Sequence, residues 1–304
     1  MLRTLTLTST FALAANAVAA EGLTYAGLNS DFTHFTKAND DTAIAGILHG
    51  AVEFEFSGFI LNGDFVGTAF DAEVNAFDTE SQQIFLSAGY RLMPEILVGA
   101  GFGVVSGDDY EETLYEAYGQ YDSGDFGVGV NVIINENDDS FTSLYSELNT
   151  GNIFNVGGVV TVSSIEDYGT DYYLSAGFDD RGSFALAYFT GNTEIDSTLF
   201  GLHGGYQVNP QTRVIGGYLT NVGKDSSDVF AFAAGAGYQV ADGAWLDATI
   251  GGVDLEGSQL INTFGVAFTF ESGERTRIDR RMSADHSDSL MSTGYGSLLF
   301  ANAL

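Results

Sequence analysis

The stretch Asp125-Phe126-Gly127-Val128-Gly129-Val130-Asn131-Val132-Ile133-Ile134-Asn135 decides the fold. Phe126, Val128, Val130, Val132 and Ile134 interleave with Gly127, Gly129, Asn131, Ile133 and Asn135. Successive strand side chains point to opposite faces, so the segment has one face of hydrocarbon and one that is nearly all hydrogen and amide. Such a strand suits a sheet with oil on one side and water on the other. The same unit, roughly ten alternating residues and then a few turn residues, recurs about sixteen times between Gly22 and Phe270.

Pairing the runs through their turn signals places strands near 23–34, 44–57, 59–70, 82–91, 95–105, 112–121, 125–135, 141–149, 152–163, 170–179, 182–190, 197–207, 212–220, 228–240, 244–252 and 260–270. The turns are of two kinds. Ser57-Gly58, Leu92-Met93-Pro94, Asp122-Ser123-Gly124, Thr150-Gly151, Asp179-Asp180-Arg181-Gly182, Val208-Asn209-Pro210 and Ala241-Asp242-Gly243 carry tight hairpin chemistry. The connections between them, such as Thr36 to Thr42, Ser106 to Glu111 and Asn221 to Ser227, are longer and more acidic.

No later stretch reaches eighteen consecutive apolar residues, so helical membrane spans are excluded, and a membrane role requires a closed barrel that satisfies every backbone amide. With 39 Gly, 24 Phe and 15 Tyr against 2 Pro, composition agrees with an all-β chain. The expected fold is an all-β, transmembrane, antiparallel up-and-down β-barrel of about 16 strands spanning 21–271. Ahead of it, Arg3, the apolar run Leu5 to Ala15 and the small residues Ala17-Val18-Ala19-Ala20 read as a cleaved signal peptide over 1–20. The absence of cysteine fits an exported protein that does without disulfides. Behind the barrel, 272–304 is expected to form a periplasmic C-terminal extension.

The formal charge is -31. Within 21–270 the only cationic side chains are Lys37, Arg91, Arg181, Arg213 and Lys224, each in or beside a turn or loop. Such a surface repels nucleic acid and excludes DNA and RNA as partners. Four short motifs, Ser87-Ala88-Gly89-Tyr90, Ser175-Ala176-Gly177-Phe178, His203-Gly204-Gly205-Tyr206 and Gly235-Ala236-Gly237-Tyr238, each set a ring just before a tight turn. Tyr90, Tyr121, Phe178, Tyr206, Tyr238 and Phe270 are therefore expected to form an aromatic girdle at the short-turn rim, where a barrel meets the lipid interface.

On these features the chain resembles the Gram-negative outer-membrane porins, particularly the sixteen-stranded general-diffusion type of alphaproteobacteria. The closing strand Leu260-Ile261-Asn262-Thr263-Phe264-Gly265-Val266-Ala267-Phe268-Thr269-Phe270 is similar to that family's aromatic-ended last strand. The resemblance implies an outer-membrane location, a water-filled channel for passive diffusion of small hydrophilic solutes and ions, and a homotrimer. Two departures stand out. The connection Ser106-Gly107-Asp108-Asp109-Tyr110-Glu111 is short where the family has a long loop folded into the pore, with no arginine cluster to face acids across it. The chain also continues for more than thirty residues after Phe270, where the family normally ends.

The inward phase is the candidate functional surface: His49, Glu53, Glu55, Asn62, Asp64, Glu116, Gln120, Asn131, Asp171, His203, Asp247 and Thr249 are expected to line the pore. Carboxylates on a wet wall concentrate cations and exclude anions, so without facing arginines a cation preference is expected. The plainer role for the same acids is to keep that wall solvated. The loops Asn39-Asp40-Asp41, Gly107-Asp108-Asp109, Asn137-Asp138-Asp139 and Asp225-Ser226-Ser227-Asp228 do not fit the twelve-residue calcium-loop pattern, and neither a metal site nor a cofactor is expected. His34, His49, His203 and His286 are the only histidines, and no Gly-x-Ser-x-Gly elbow surrounds a serine, so no enzyme activity is expected. The extension carries Arg275, Arg277, Arg280 and Arg281, which fits either a loosely ordered tail or a segment folded back as a partial plug. Two further functions fit the alternation: a structural or adhesive outer-membrane barrel that does not conduct, and a secreted soluble β-protein.

Overall fold

A computed structural model describes residues 22–36, 42–72, 77–108, 110–150, 153–166, 168–180, 183–194, 197–222, 230–254 and 260–280. The expected signal peptide, residues 281–304 of the extension, and Lys37, Arg181, Lys224, Arg281 and His286 lie outside these residues. So do the acidic runs at 39–41 and 225–228, and Asp109.

Sixteen antiparallel strands close into one barrel. They are β1 (Leu23–Thr36), β2 (Thr42–Phe56), β3 (Phe59–Ala72), β4 (Phe77–Met93), β5 (Ile96–Gly107), β6 (Glu111–Asp122), β7 (Phe126–Asn135) and β8 (Ser140–Thr150), followed by β9 (Phe154–Ser163), β10 (Thr170–Asp180), β11 (Ser183–Asn192), β12 (Ser197–Asn209), β13 (Thr212–Asn221), β14 (Phe230–Ala241), β15 (Ala244–Asp254) and β16 (Ile261–Gly273). Each strand pairs with its sequence neighbours, and β1 closes the ring on β16 from Tyr25↔Gly273 to Thr36↔Asn262. Ser57 and Gly58 have φ of 51° and 84°, the two positive values that a type I′ hairpin needs to match strand twist.

Several strand ends differ from the sequence reading, most of all at two connections. β4 starts at Phe77, not near 82, because β3 runs on to Ala72 and the ladder continues to Ala72↔Phe77. β5 and β6 likewise extend until only 108–110 connect them, so this connection is as tight as a turn on the opposite rim.

Close backbone approach explains one glycine in the wall. A Cβ on Gly251 would collide with the carbonyl oxygen of Phe232 on β14, whereas one on Gly119 of β6 would meet Val98 at an ordinary 3.8 Å. Gly251→Ala is expected to cost about 1–3 kcal/mol through overpacking. Urea unfolding of refolded barrel should show a lower midpoint for Gly251→Ala and an unchanged one for Gly119→Ala.

The apolar phase faces outward. Leu144, Leu174 and Ile250 are 61%, 54% and 68% exposed, while Glu53, Glu116 and Asp247 on the other phase are buried. This inverts the usual globular distribution. The interior itself has two filled regions. Toward the long-loop rim Phe35, Leu219, Ala231, Val253 and Ile261 pack with Tyr145, Tyr173 and Tyr188 in one apolar cluster. Toward the short-turn rim Ile60, Leu97 and Tyr118 form a second cluster, and the chain beyond β16 enters the barrel and adds Ile278 to the first.

Candidate functional site

β16 ends at Gly273, whose φ of 83° turns the chain inward where a Cβ would strike the Thr24 carbonyl. Residues 274–280 then cross to the wall formed by β2 to β7. Thr276 donates from its amide to Glu53 Oε2 at 3.1 Å and from its hydroxyl to Glu53 Oε1, and the Thr24 hydroxyl donates to the same carboxylate at 2.9 Å. Gln120 clamps the segment at both ends of one peptide pair: its Nε2 donates to the Thr276 carbonyl at 2.8 Å and its Oε1 accepts from the Ile278 amide at 3.2 Å. The Ile278 side chain lies over the bare backbone of Gly127, where an added Cβ would stand 3.2 Å from Cγ1.

Three guanidiniums of this segment are each received by a carboxylate and an aromatic face. Arg275 pairs with Asp64 at 3.1 Å and lies 4.7 Å from the Tyr25 ring. Arg277 makes a two-pronged pair with Glu116 at 2.8 and 2.6 Å, stacks 3.8 Å from Tyr118 and takes Ser87 Oγ at 3.3 Å. Arg280 reaches Glu116 at 3.5 Å and Asp64 at 4.0 Å and lies 4.9 Å from Phe85. Asp279 also grips Arg277, at 3.1 and 2.6 Å.

Arg277 is fully buried, at 0% exposure. Taking a guanidinium out of water costs several kcal/mol unless paired, and removing one partner of such a pair costs about 3–5 kcal/mol. Burial works against the charge on Arg277, but Glu116 and Asp279 outweigh it and the guanidinium stays protonated far above its ordinary range. Burial likewise opposes ionisation of Asp279, and Arg277 outweighs it, holding that carboxyl below its ordinary value.

The segment leaves open a cavity of about 450 Å³ against the other half of the wall, bounded by β1, β2, β9 to β13, β15 and β16. Its charged groups are Asp31, Asp179, Asp247 and Glu271 against Arg213 and Arg275, with His49 and His203 also on its wall. Arg213 holds Asp247 at 3.0 and 2.5 Å and sits 4.4 Å from Trp245 and 5.7 Å from Phe184, which meets His203 edge-on at 5.0 Å.

The twelve candidate lining residues therefore divide into three groups. Glu53, Asp64, Glu116, Gln120 and Asn131 meet at the inserted segment, with Asn131 Nδ2 donating to Glu116 at 2.7 Å and to Asp279 at 3.4 Å. His49, His203, Asp247 and Thr249 border the open cavity. Glu55, Asn62 and Asp171 belong to neither: Glu55 pairs with Arg91 at 3.3 Å, Asn62 stands opposite Glu53 in the β2–β3 register, and Asp171 accepts from Asn192 at 2.7 Å.

One expectation is overturned. The lumenal acids do face arginines, because Arg91 near the end of β4 and Arg213 near the start of β13 point inward and the extension brings three more. Arg213 shares its phase with Ile215, so alternation carried to the strand end finds it. Among the described residues no group of three or more His, Asp or Glu side chains is placed to hold a metal ion. At the short-turn rim Tyr90, Tyr121, Tyr206 and Tyr238 are exposed on the outer face, while Phe178 and Phe270 are half-buried. Tyr90 packs on Phe59 and Phe178 on Phe154, at 4.7 and 5.3 Å between rings.

No protein-family model matches the sequence, and no curated protein does. Solved structures do match. A triple mutant of the Rhodopseudomonas blastica porin superposes with a TM-score of 0.52 at 10% identity, covering 82% of this chain and 100% of that one. A second mutant of the same porin gives 0.50 at 11% identity over the same shares. The likeness is one of fold: this chain has the sixteen-stranded barrel of the porins.

Proposed function

We propose that this chain is an outer-membrane channel of porin type, exported by its first twenty residues and passing ions and small hydrophilic solutes by diffusion. The observation that carries the reading is the inverted wall, with aliphatic side chains outward and carboxylates inward around a closed ring of strands. A closed barrel is the only sheet that leaves no unpaired edge in hydrocarbon. The six girdle aromatics supply the interface band on this reading, and the long connections face outside the cell. Trimerisation is carried over from the porin likeness.

The twelve inward residues set size and charge limits and perform no chemical step. Four carboxylates against two guanidiniums leave the open cavity net negative, which favours cations. Reversal potential across a salt gradient in a planar bilayer tests this directly. Wild type is expected to give a cation-selective potential, and Asp31→Asn with Asp179→Asn to move it toward zero. An anion-selective wild type overturns the charge reading while leaving the barrel in place.

A second reading, a barrel that does not conduct, is favoured by the apolar cluster of Phe35, Leu219, Val253 and Ile261 across the long-loop half of the lumen. Absence of conductance from purified, inserted protein and from every lumen variant would decide for it.

A further inference from the structure

We propose that the wall carrying Glu53, Asp64 and Glu116 is a binding site for an arginine-bearing peptide segment, filled in this chain by its own residues 275–280, and that filling it closes one half of the lumen. The proposal rests on the channel reading above and goes beyond it by assigning the occupant and its effect. Chance adhesion of a basic tail to an acidic wall predicts loose, solvent-screened pairs. The contacts are instead specific at every step along the segment.

Arg275, Arg277 and Arg280 each find both a carboxylate and a ring, from Asp64 with Tyr25, Glu116 with Tyr118, and Glu116 with Phe85 respectively. Flat guanidiniums are suited to that combination, because they bond in their plane and stack on their faces, which an ammonium does not do. Between the arginines the backbone is read as well, by Gln120 on both sides of Arg277 and by Glu53 on the Thr276 amide. Gly127 completes the site, since the wall needs an absent side chain where Ile278 enters. The site recognises peptide strand, guanidinium spacing and one aliphatic knob.

Occupancy has two consequences for transport. The segment stands between the acids of β2 to β6 and any permeating ion, and its three guanidiniums, less the Asp279 carboxylate, offset most of their charge. Vacating the site is expected to widen the passage and to uncover Glu53, Asp64 and Glu116, raising both conductance and cation preference.

The chain has no cysteine, so an engineered pair has no competitor. With a Cβ at position 127 lying 3.2 Å from Ile278 Cγ1, Gly127→Cys with Ile278→Cys is within disulfide reach. In detergent-purified full-length barrel the bond should form on mild oxidation, seen as the linked peptide by mass after proteolysis. Failure to form it overturns the docked position whatever the conductance. In bilayers, full-length Arg275→Gln/Arg277→Gln/Arg280→Gln should conduct at least twofold more than wild type. Adding the cysteine pair to that variant should return it to the wild-type level when oxidised and to the high level under reductant. Equal conductance in wild type, the triple variant and both redox states of its cysteine form overturns the plug and leaves the channel standing. Silence in every variant overturns both readings together.

Discussion

Glu116→Ala is expected to free residues 274–280 from the lumen while the sixteen-strand ladder stays closed. Glu116 is buried and supplies both oxygens to Arg277 and one to Arg280, so its removal leaves a guanidinium at 0% exposure with only Asp279, the Ser87 hydroxyl and the Tyr118 face. Breaking such a pair costs about 3–5 kcal/mol, a shift of roughly a hundredfold or more toward the released segment. The barrel does not share the cost, because β6 keeps its ladder from Leu97↔Gln120 to Ser106↔Glu111 without that side chain. Trypsin reads the result: in wild type the bond after Arg277 is expected to resist, and in Glu116→Ala to be cut within minutes, with barrel mass otherwise unchanged. Glu116→Gln, which keeps a carbonyl acceptor, should fall between. Equal protection in all three would mean that Arg277 does not depend on Glu116.

Leu174→Arg is expected to cost about 2–4 kcal/mol of barrel stability in lipid. Leu174 lies near the middle of β10 on the outward phase, 54% exposed, paired with Gly158 on one side and Phe189 on the other. On a water-facing surface the same substitution would change stability by about 0.5 kcal/mol or less, since nothing charged or buried is lost there. Urea unfolding in phospholipid vesicles distinguishes the two environments. A small effect would show that the outward aliphatic face meets water, and the secreted soluble β-protein would replace the membrane barrel.

Most of the strand ladder was legible because an apolar outer face and a polar inner face write a period of two into nearly every strand. β13 and β15 start where the alternation starts, at 212 and 244. β4 was legible only in part, since Glu80-Ser81-Gln82-Gln83 has no alternation and its pairing comes from β3 alongside. The apolar cluster inside the lumen was missed for a different reason. Phe35, Val253 and Ile261 sit at strand ends on the phase dominated elsewhere by glycine and acids, so a reading by majority phase passes over them. The seat of the extension was beyond reach of any local pattern. A basic run announces charge, but its partners Asp64 and Glu116 are 211 and 161 residues away, and only the closed ring brings them beside it.

A rolled sheet has one junction that no hairpin turn enforces, and here it joins Tyr25 to Gly273 across nearly the whole described chain. The inserted segment begins at that junction and staples it from within: the Tyr25 hydroxyl donates to Glu271 at 2.9 Å, and Arg275 lies on the Tyr25 ring before reaching Asp64 on β3. Opening the cylinder at this seam would have to break that tie as well as the ladder from Tyr25↔Gly273 to Thr36↔Asn262. The same residues that occupy the lumen therefore also act as its clasp, tying resistance to rupture to the state of the passage.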